Sequence, residues 1–355
     1  MTVTSCPGCG AAVGKEDRFC ESCGQSLLVR RTPVGGPVRE QAGGSCVACG
    51  GPNIDGDGFC ADCGRAQPSG RDRMECDLEM VVGISDKGRR RARNEDSMAY
   101  GTVLGADAPP TVVAVVCDGV ATSDRADSAS QLAVDEAVSV LLDAVLENGD
   151  PADATRTAVA RAIEVVSELA DPSVPGTAPS CTFVSAVVTP DKVTVGSVGD
   201  SRVYWIAAPG SESDDSLRKL RSESDDDSLR SAAAPSQVLT ADDTVAAELI
   251  AEGMSEEQAN SVPQAHALSK WIGADAGDIE PRVVTFEPNG PGHVLLCSDG
   301  LWNYVPDATA LAGVMPADGG MPSAVGLTKL ALELGGHDNI TTVLVPFPPK
   351  EGSQP

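Results

Sequence analysis

Two apolar runs end in the same way, Thr111-Val-Val-Ala-Val-Val-Cys117-Asp118-Gly119 and His293-Val-Leu-Leu-Cys297-Ser298-Asp299-Gly300. Each run has the composition of a buried β-strand. Each therefore delivers an aspartate at the mouth of a strand, which is how a sheet can present carboxylates to a shared metal ion. Further acidic motifs stand upstream, at Asn94-Glu95-Asp96, and downstream, at Asp338-Asn339. Together these motifs make the chain a candidate enzyme.

The body of the chain predicts more strands than helices. The strand-like segments are 78–84, 98–104, 111–117, 181–189, 192–198, 202–206, 283–286, 294–297 and 340–345, and the helix-like segments are 126–147, 150–169 and 323–334. Asp150 as N-cap followed by Pro151 marks the start of the second helix. Because the connections between strands are hairpins, we expect antiparallel sheets with helices packed outside them.

Length and composition predict a globular protein of about two domains. The chain has 355 residues, of which 41% are hydrophobic, enough to bury at least one core. It contains no run of 18 apolar residues, and its N-terminus lacks the basic and apolar regions of a signal peptide. We therefore expect no membrane span and a cytoplasmic location.

The net charge of −26 is unevenly distributed. Residues 1–73 hold eight basic and eight acidic side chains, so the whole excess of negative charge follows residue 73. Such an acidic body would repel nucleic acids and anionic membranes and would favour metal cations.

A cysteine pattern repeats near the N-terminus with a shift of 40 positions. Each copy holds two Cys-x-x-Cys pairs ten residues apart: Cys6, Cys9, Cys20 and Cys23, then Cys46, Cys49, Cys60 and Cys63. Four thiolates form a closed tetrahedral Zn²⁺ site, which is structural because no coordination position stays open. Disulfides are disfavoured in a reducing compartment, and a redox pair is disfavoured because no strand-helix pattern follows. The sequence thus predicts two zinc ions.

Residues 6–64 resemble the double zinc ribbon of many bacterial regulatory proteins. The resemblance implies an interaction module whose fold depends on zinc, with a protein partner that the residues do not identify. We expect this module to span residues 1–66 and a polar linker to span residues 67–75. All the acidic motifs lie further on, so removal of residues 1–73 is expected to leave activity on small aryl phosphates nearly intact.

Five ordered motifs carry a second resemblance. They are Arg91-x-x-Asn94-Glu95-Asp96, Cys117-Asp118-Gly119, Val198-Gly199-Asp200-Ser201-Arg202, Leu296-Cys297-Ser298-Asp299-Gly300 and His337-Asp338-Asn339-Ile340-Thr341. In this order they resemble the metal-dependent protein phosphatases of the 2C type, the PPM family. The resemblance implies an α+β fold, an αββα sandwich of two antiparallel sheets flanked by helices, over residues 76–348.

The family's functional residues carry over by motif. Asp118 would bridge two Mn²⁺ or Mg²⁺ ions, the Gly119 carbonyl would bind one of them, and Asp299 and Asp338 would hold the other. Glu95 and Asp96 would act through bound waters, and Arg91 would grip the substrate phosphate. A metal-bridging hydroxide would then attack phosphorus in line, since a metal pair lowers the pKa of a bound water.

Other residues near these motifs have plainer interpretations. Asp200 is expected to cap backbone amides in a hairpin rather than to bind metal, and Cys117 and Cys297 are expected to be buried small side chains. Three histidines are too few for a histidine-based site; His337 faces the cleft or has a structural role. The general acid and the carboxylate of a third metal site are left unassigned.

Two segments precede the last strands. Residues 207–236 include an acidic near-duplication, Ser211–Arg218 and Ser222–Arg230, which is interpreted as a disordered surface insertion rather than a phosphoacceptor or docking segment. Residues 241–265 predict a pair of short helices, the second opened by a Ser255-x-x-Gln258 capping box, and form the expected flap beside the cleft. Residues 349–355 are a tail.

Three functions compete at this point. The leading one is a serine/threonine phosphoprotein phosphatase, acting on substrates of Ser/Thr kinases. The alternatives are a catalytically weak phosphatase-like scaffold that docks partners through its ribbons, and a zinc-ribbon binding protein with a regulatory acidic body. The joint presence of Arg91, Asp118, Gly119, Asp299 and Asp338 favours catalysis.

Overall fold

The computed structural model describes most of the chain. The described residues are 4–6, 9–14, 17, 19–24, 26–38, 46, 49–55, 59–65, 67, 69–104, 110–171, 173, 178–208, 234–316 and 319–349. The acidic repeats of the insertion expected at 207–236 lie outside them, as does nearly all of the tail expected at 349–355.

Within the described residues, the strands form two six-stranded antiparallel sheets and two small two-stranded ones. They are β1 (Thr4–Ser5), β2 (Ala12–Val13), β3 (Val29–Arg31), β4 (Arg73–Asp77), β5 (Val82–Asp86), β6 (Ser97–Val103), β7 (Thr111–Cys117), β8 (Ser180–Cys181), β9 (Phe183–Val188), β10 (Val193–Val198), β11 (Arg202–Ala207), β12 (Gln237–Val238), β13 (Ile272–Gly273), β14 (Arg282–Phe286), β15 (Gly292–Cys297) and β16 (Ile340–Phe347). The first large sheet has the order β14-β10-β9-β7-β6-β3 and the second β12-β11-β15-β16-β5-β4.

Seven helices lie in the described part of the chain. They are α1 (Ala126–Leu146), α2 (Pro151–Ser167), α3 (Val245–Ala251), α4 (Glu256–Ser261), α5 (Asp299–Trp302), α6 (Ala308–Val314) and α7 (Gly320–Glu333). The Asp150 carboxylate accepts hydrogen bonds from the amides of Ala152 and Asp153, as its N-cap position predicts. In the flap, the Ser255 hydroxyl accepts from the amide of Gln258.

The elements stack in four layers, which confirms the expected αββα sandwich. Apolar side chains of both large sheets, such as Val116 and Leu296, form the central core. The outer face of the first sheet packs on α1 and α2, and that of the second packs on α5, α6 and α7. None of the helices in the described residues combines the length and apolar composition that a bilayer crossing requires.

The segment between the two cysteine sets belongs to the first sheet. Strand β3 pairs with β6 in antiparallel register, Val29 opposite Val103 and Arg31 opposite Gly101. Beyond it, the Gly35 amide donates to the carboxylate of Asp135 on α1, at 2.9 Å. The expected ribbon range 1–66 thus contains a strand of the sandwich. This strand could not be predicted from the sequence, because three residues are too few for a periodic pattern.

The expected linker 67–75 is also part of the sandwich. Strand β4 begins at Arg73. Just before it, Arg71 donates to the Asp96 carbonyl and to the Ser97 hydroxyl, and its own carbonyl accepts from the side-chain amide of Asn94. Removing residues 1–73 would therefore delete strand β3 and these contacts, while its effect on activity toward small aryl phosphates stays a prediction.

We predict that a chain starting at residue 74 is less stable than one starting at residue 26. The shorter chain loses the β3 hydrogen bonds and the Arg71 contacts, together worth about 3 kcal/mol, so its Tm should fall by roughly 5–10 °C. The longer chain lacks only the first cysteine set and is the matched control. Thermal unfolding checks this, and equal Tm values for the two chains would contradict it.

Candidate active site and metal centres

An open cavity of about 480 Å³ lies at one end of the sandwich. Four aspartates from separate segments face into it, Asp118, Asp200, Asp299 and Asp338. Arg91 and Gly119 also line the cavity, as do His266, Leu268, Trp271 and Asp275, which follow the expected flap in the chain. Of the predicted site residues, Glu95 and Asp96 do not line the cavity.

The end of strand β7 positions Asp118 and Gly119. The Asp118 amide donates to the Thr182 hydroxyl at 3.0 Å, and its carbonyl accepts from the Thr182 amide at 2.8 Å. A methyl group at Gly119 would stand 2.7 Å from the carbonyl oxygens of Ala126 and of Glu95. Only glycine lets the backbone pass here, which explains the Asp-Gly pair.

Asp96 lies directly behind this wall and is fully buried. Its Oδ2 accepts from the hydroxyls of Ser298 and Thr341, both at 2.7 Å. Its Oδ1 has no hydrogen-bond partner in the structure. The carboxyl groups of Asp96 and Asp118 are neighbours, so Asp96 belongs to the same cluster of negative charge.

Asn339 fixes the loop that carries Arg91. Its side-chain amide donates to the carbonyls of Lys87 and Arg93, at 2.8 and 2.9 Å, and its Oδ1 accepts from the Glu95 amide at 2.8 Å. Sequence reasoning quoted Asn339 only as part of a motif and assigned it no role. Its burial at 2% exposure shows that it is a structural centre of the site.

Arg91 forms an ion pair with Asp338, with Nη2 and Oδ2 2.5 Å apart. Hydrogen bonding to Asp338 raises the pKa of the guanidinium above its ordinary value, so Arg91 stays charged. The neighbours Arg89, Arg90 and Arg93 are not among the lining residues of the cavity. The structure therefore singles out Arg91 from this basic run.

Asp200 is the cavity residue that sequence reasoning missed. It follows β10 as Asp118 follows β7, and this similarity was the available signal. The turn is held by Asp243, whose Oδ2 accepts from the Gly199 amide at 3.1 Å, and by the Arg202–Asp242 ion pair at 2.7 Å. The expectation that Asp200 only caps a hairpin misses its place on the cavity wall.

The electrostatics of the cluster favour a bound cation. Burial, followed by repulsion from nearby carboxylates, raises the pKa of Asp299 to about 8 and that of Asp118 well above its ordinary value. Burial also raises the pKa of Asp200 to about 7 and that of Asp96 to about 6. Buried carboxylates all carry negative charge, so they repel one another unless protons or metal ions neutralise them.

The residues present fit hard divalent cations. Oxygen donors are the ligands that Mg²⁺ and Mn²⁺ prefer. Asp96 Oδ1 and Asp299 Oδ1 are buried without hydrogen-bond partners. A buried carboxylate oxygen without a donor is costly, and a cation would satisfy it.

The two cysteine sets have the geometry of zinc sites. Within each set the four sulfur atoms lie within 4.8 Å of one another. Pairs such as Cys6–Cys23 and Cys49–Cys60 have Sγ–Sγ distances of 3.7 and 3.6 Å. Four Zn–S bonds of about 2.3 Å in a tetrahedron place sulfurs about 3.8 Å apart. Both sets therefore fit one Zn²⁺ ion each.

Among the described residues, no cysteine lines the cavity. None of the twelve cysteines forms a disulfide, and burial raises the pKa of Cys117 and of Cys297, as expected for buried small side chains. His337 is exposed, and its amide donates to the Tyr304 hydroxyl. His266 is the one histidine among the described residues that line the cavity.

Family comparisons agree with this geometry. The profile of the family described as "Protein phosphatase 2C" matches residues 87–317, and that of "Double zinc ribbon" matches residues 6–64. A serine/threonine phosphatase stp of Listeria welshimeri is 29% identical over 271 residues, covering 74% of this chain and 93% of the relative. A serine/threonine protein phosphatase PstP of Mycobacterium tuberculosis is 29% identical over 264 residues, covering 73% of this chain and 43% of the relative.

Solved structures share the fold. The chain is similar to serine/threonine phosphatase Stp1 from Staphylococcus aureus, with a TM-score of 0.57 and 23% identity over 79% of this chain and 98% of that one. It is also similar to the catalytic domain of a serine/threonine protein phosphatase PstP in complex with two manganese ions, with a TM-score of 0.52 and 23% identity over 75% of this chain and 97% of that one.

We predict that the metal-free protein loses stability as pH rises from 5 to 9. The folded-state pKa values of Asp96, Asp200 and Asp299 are raised, so their protonated forms favour folding at low pH, and this stability is lost as pH rises through about 6 to 8. Asp299→Asn should reduce the fall in Tm by roughly 3–8 °C. The measurement is the Tm of the parent chain and of Asp299→Asn at each pH, with a chelator present. Parallel curves of Tm against pH for the two chains would contradict the prediction.

Proposed function

The chain belongs to the protein phosphatase 2C family, and we propose that it hydrolyses phosphoserine and phosphothreonine in protein substrates with two Mn²⁺ or Mg²⁺ ions at the aspartate cluster. The observation that carries the proposal is the convergence of Asp118, Asp299, Asp338 and Arg91 on one cavity. The names of the relatives support the substrate class, and the manganese complex of PstP supports the metal.

The aspartates would hold the cations in this arrangement. Asp118 and the Gly119 carbonyl lie at one strand end, and Asp299 and Asp338 stand at the starts of α5 and β16. Divalent ions bound there would supply a water of lowered pKa and would neutralise charge on the phosphoryl oxygens. Asp96 and Glu95 would act through waters, Asp96 from its buried position behind Asp118.

Arg91 would orient the phosphate. Its guanidinium lies on the cavity wall and can offer two parallel N–H donors to phosphoryl oxygens. In the structure it is paired with Asp338, so binding phosphate requires it to exchange partners. A cation on Asp338 would weaken that pair and favour the exchange, which links metal loading to substrate binding.

The lining residues between 266 and 275 would contact the rest of the substrate. Leu268 and Trp271 give the wall apolar surface, and the Trp271 indole N–H donates to Asp275 at 2.9 Å.

The complete set of carboxylates favours catalysis over the scaffold alternative. We place the protein in the cytoplasm, since cysteines without disulfides and in zinc-binding sets suit a reducing compartment. The zinc ribbons would serve as a docking module for a protein partner.

One assay tests this function. Purified protein should release phosphate from a phosphoserine or phosphothreonine peptide only with Mn²⁺ or Mg²⁺ present. We predict that Asp118→Asn and Asp299→Asn each lower kcat by at least about a hundredfold, because ligand charge is lost while side-chain volume is kept. Circular dichroism should show both variants folded. Near-normal turnover in both would refute the two-metal assignment.

We predict that Arg91→Ala raises KM for phosphopeptides more than it lowers kcat, because the arginine binds the ground state and the transition state alike. The rise in KM should be roughly tenfold and the fall in kcat less than threefold. The comparison variants are Arg89→Ala and Arg90→Ala, because those side chains do not line the cavity. Steady-state kinetics decide the matter. An unchanged KM in Arg91→Ala would indicate that a neighbouring arginine binds the substrate phosphate instead.

A further inference from the structure

The second cysteine set lies beside the loop that carries Arg91. We call residues 87–95 the arginine loop. The guanidinium carbon of Arg93 stands 4.7 Å from the centre of the Phe59 ring, the distance of a cation–π contact. Phe59 immediately precedes Cys60, a member of the second zinc site. This contact joins the ribbon to the active-site loop.

The ribbon holds the Phe59 backbone tightly. The Phe59 amide donates to the Asp55 carboxylate, and the Asp55 amide donates to the Phe59 carbonyl, both at 2.8 Å. Ile54 forms an antiparallel bridge with Cys60. The position of the ring therefore follows the fold of the knuckle that the four sulfurs define.

Arg93, the other partner of this contact, is connected to Arg91 through hydrogen bonds of the arginine loop. The Arg93 carbonyl accepts from the Asn339 side chain, whose amide and carbonyl also bind Lys87 and Glu95. The arginine loop is thus fastened to Asn339, the neighbour of the Asp338 that pairs with Arg91. A shift of Arg93 would be passed to Arg91 two residues away.

The first ribbon supplies an internal comparison. Phe19 occupies the equivalent position, 40 residues earlier and directly before Cys20. Its side chain is 59% exposed, whereas Phe59 is partly buried. The two repeats are alike in sequence at this position, yet the Phe59 ring faces an active-site loop and the Phe19 ring is largely exposed to solvent.

We propose that Phe59 is a positioning residue for substrate binding: through Arg93 it holds the arginine loop so that Arg91 meets the phosphate. The second ribbon is then a working part of the substrate site, and the first is not. The proposal rests on the proposed phosphatase function for its kinetic consequence, but its structural consequence, an ordered arginine loop, stands without it.

The experiment compares Phe59→Ala with Phe19→Ala in the full-length, zinc-loaded chain. Phe59→Ala should speed amide hydrogen exchange in residues 87–95 by about three- to tenfold and raise KM for a phosphopeptide by a similar factor. The kcat of Phe59→Ala should change less than twofold. Phe19→Ala should match the parent in exchange rate and in KM. Phe59→Trp keeps an aromatic ring and should also match the parent in both.

A second variant covers the case in which Phe59→Ala loses zinc. Arg93→Gln keeps the aliphatic stem but removes the cation, so it should reproduce the faster exchange. The double variant, Phe59→Ala with Arg93→Gln, should have the same exchange rate and KM as either single variant. Parent-like exchange and KM in Arg93→Gln, additive effects in the double variant, or equal effects from Phe19→Ala would each overturn the proposal. A parent chain without metal-dependent phosphate release would refute the phosphatase function alone, because the exchange measurement still decides the contact.

Discussion

Repulsion among carboxylates at the meeting point of the two sheets is the constraint on which the rest of the site depends. Asp96, Asp118, Asp200 and Asp299 all have raised pKa values, and burial is the first cause in each case. A fold tolerates such a cluster only when its scaffold is rigid and its charge is neutralised. The long paired strands beneath it supply the rigidity, and divalent cations would supply the charge.

Hydroxyl groups and one amide keep the cluster in place without adding charge. Ser298 and Thr341 donate to Asp96, and Thr341 also bonds to the Ser85 hydroxyl at 2.8 Å. Neutral donors support a carboxylate but leave it available to a metal, whereas a lysine in their place would compete with the cation. Asn339 holds the backbone in the same way, since its side chain forms hydrogen bonds to three residues of the arginine loop.

Much of the fold could be predicted from the sequence because its elements carry local signals. Strand β7 has the predicted ends, and α2 begins after Asp150 as its capping residues indicate. The parts that escaped prediction depend on contacts between distant residues. Strand β3 has three residues, and the Phe59–Arg93 contact joins two segments with no common motif. Asp200 was misjudged because Gly-Asp in a hairpin has an ordinary structural explanation.

The pairing of β3 with β6 also affects how the molecule avoids self-association. All seven residues of β6 are buried, and six of the seven in its neighbour β7 are too. A strand of this kind with a free edge is a template on which a second chain can pair, as in domain swapping and amyloid. Strand β3 occupies the Gly101–Val103 part of that edge, and so it leaves less of β6 open to such pairing.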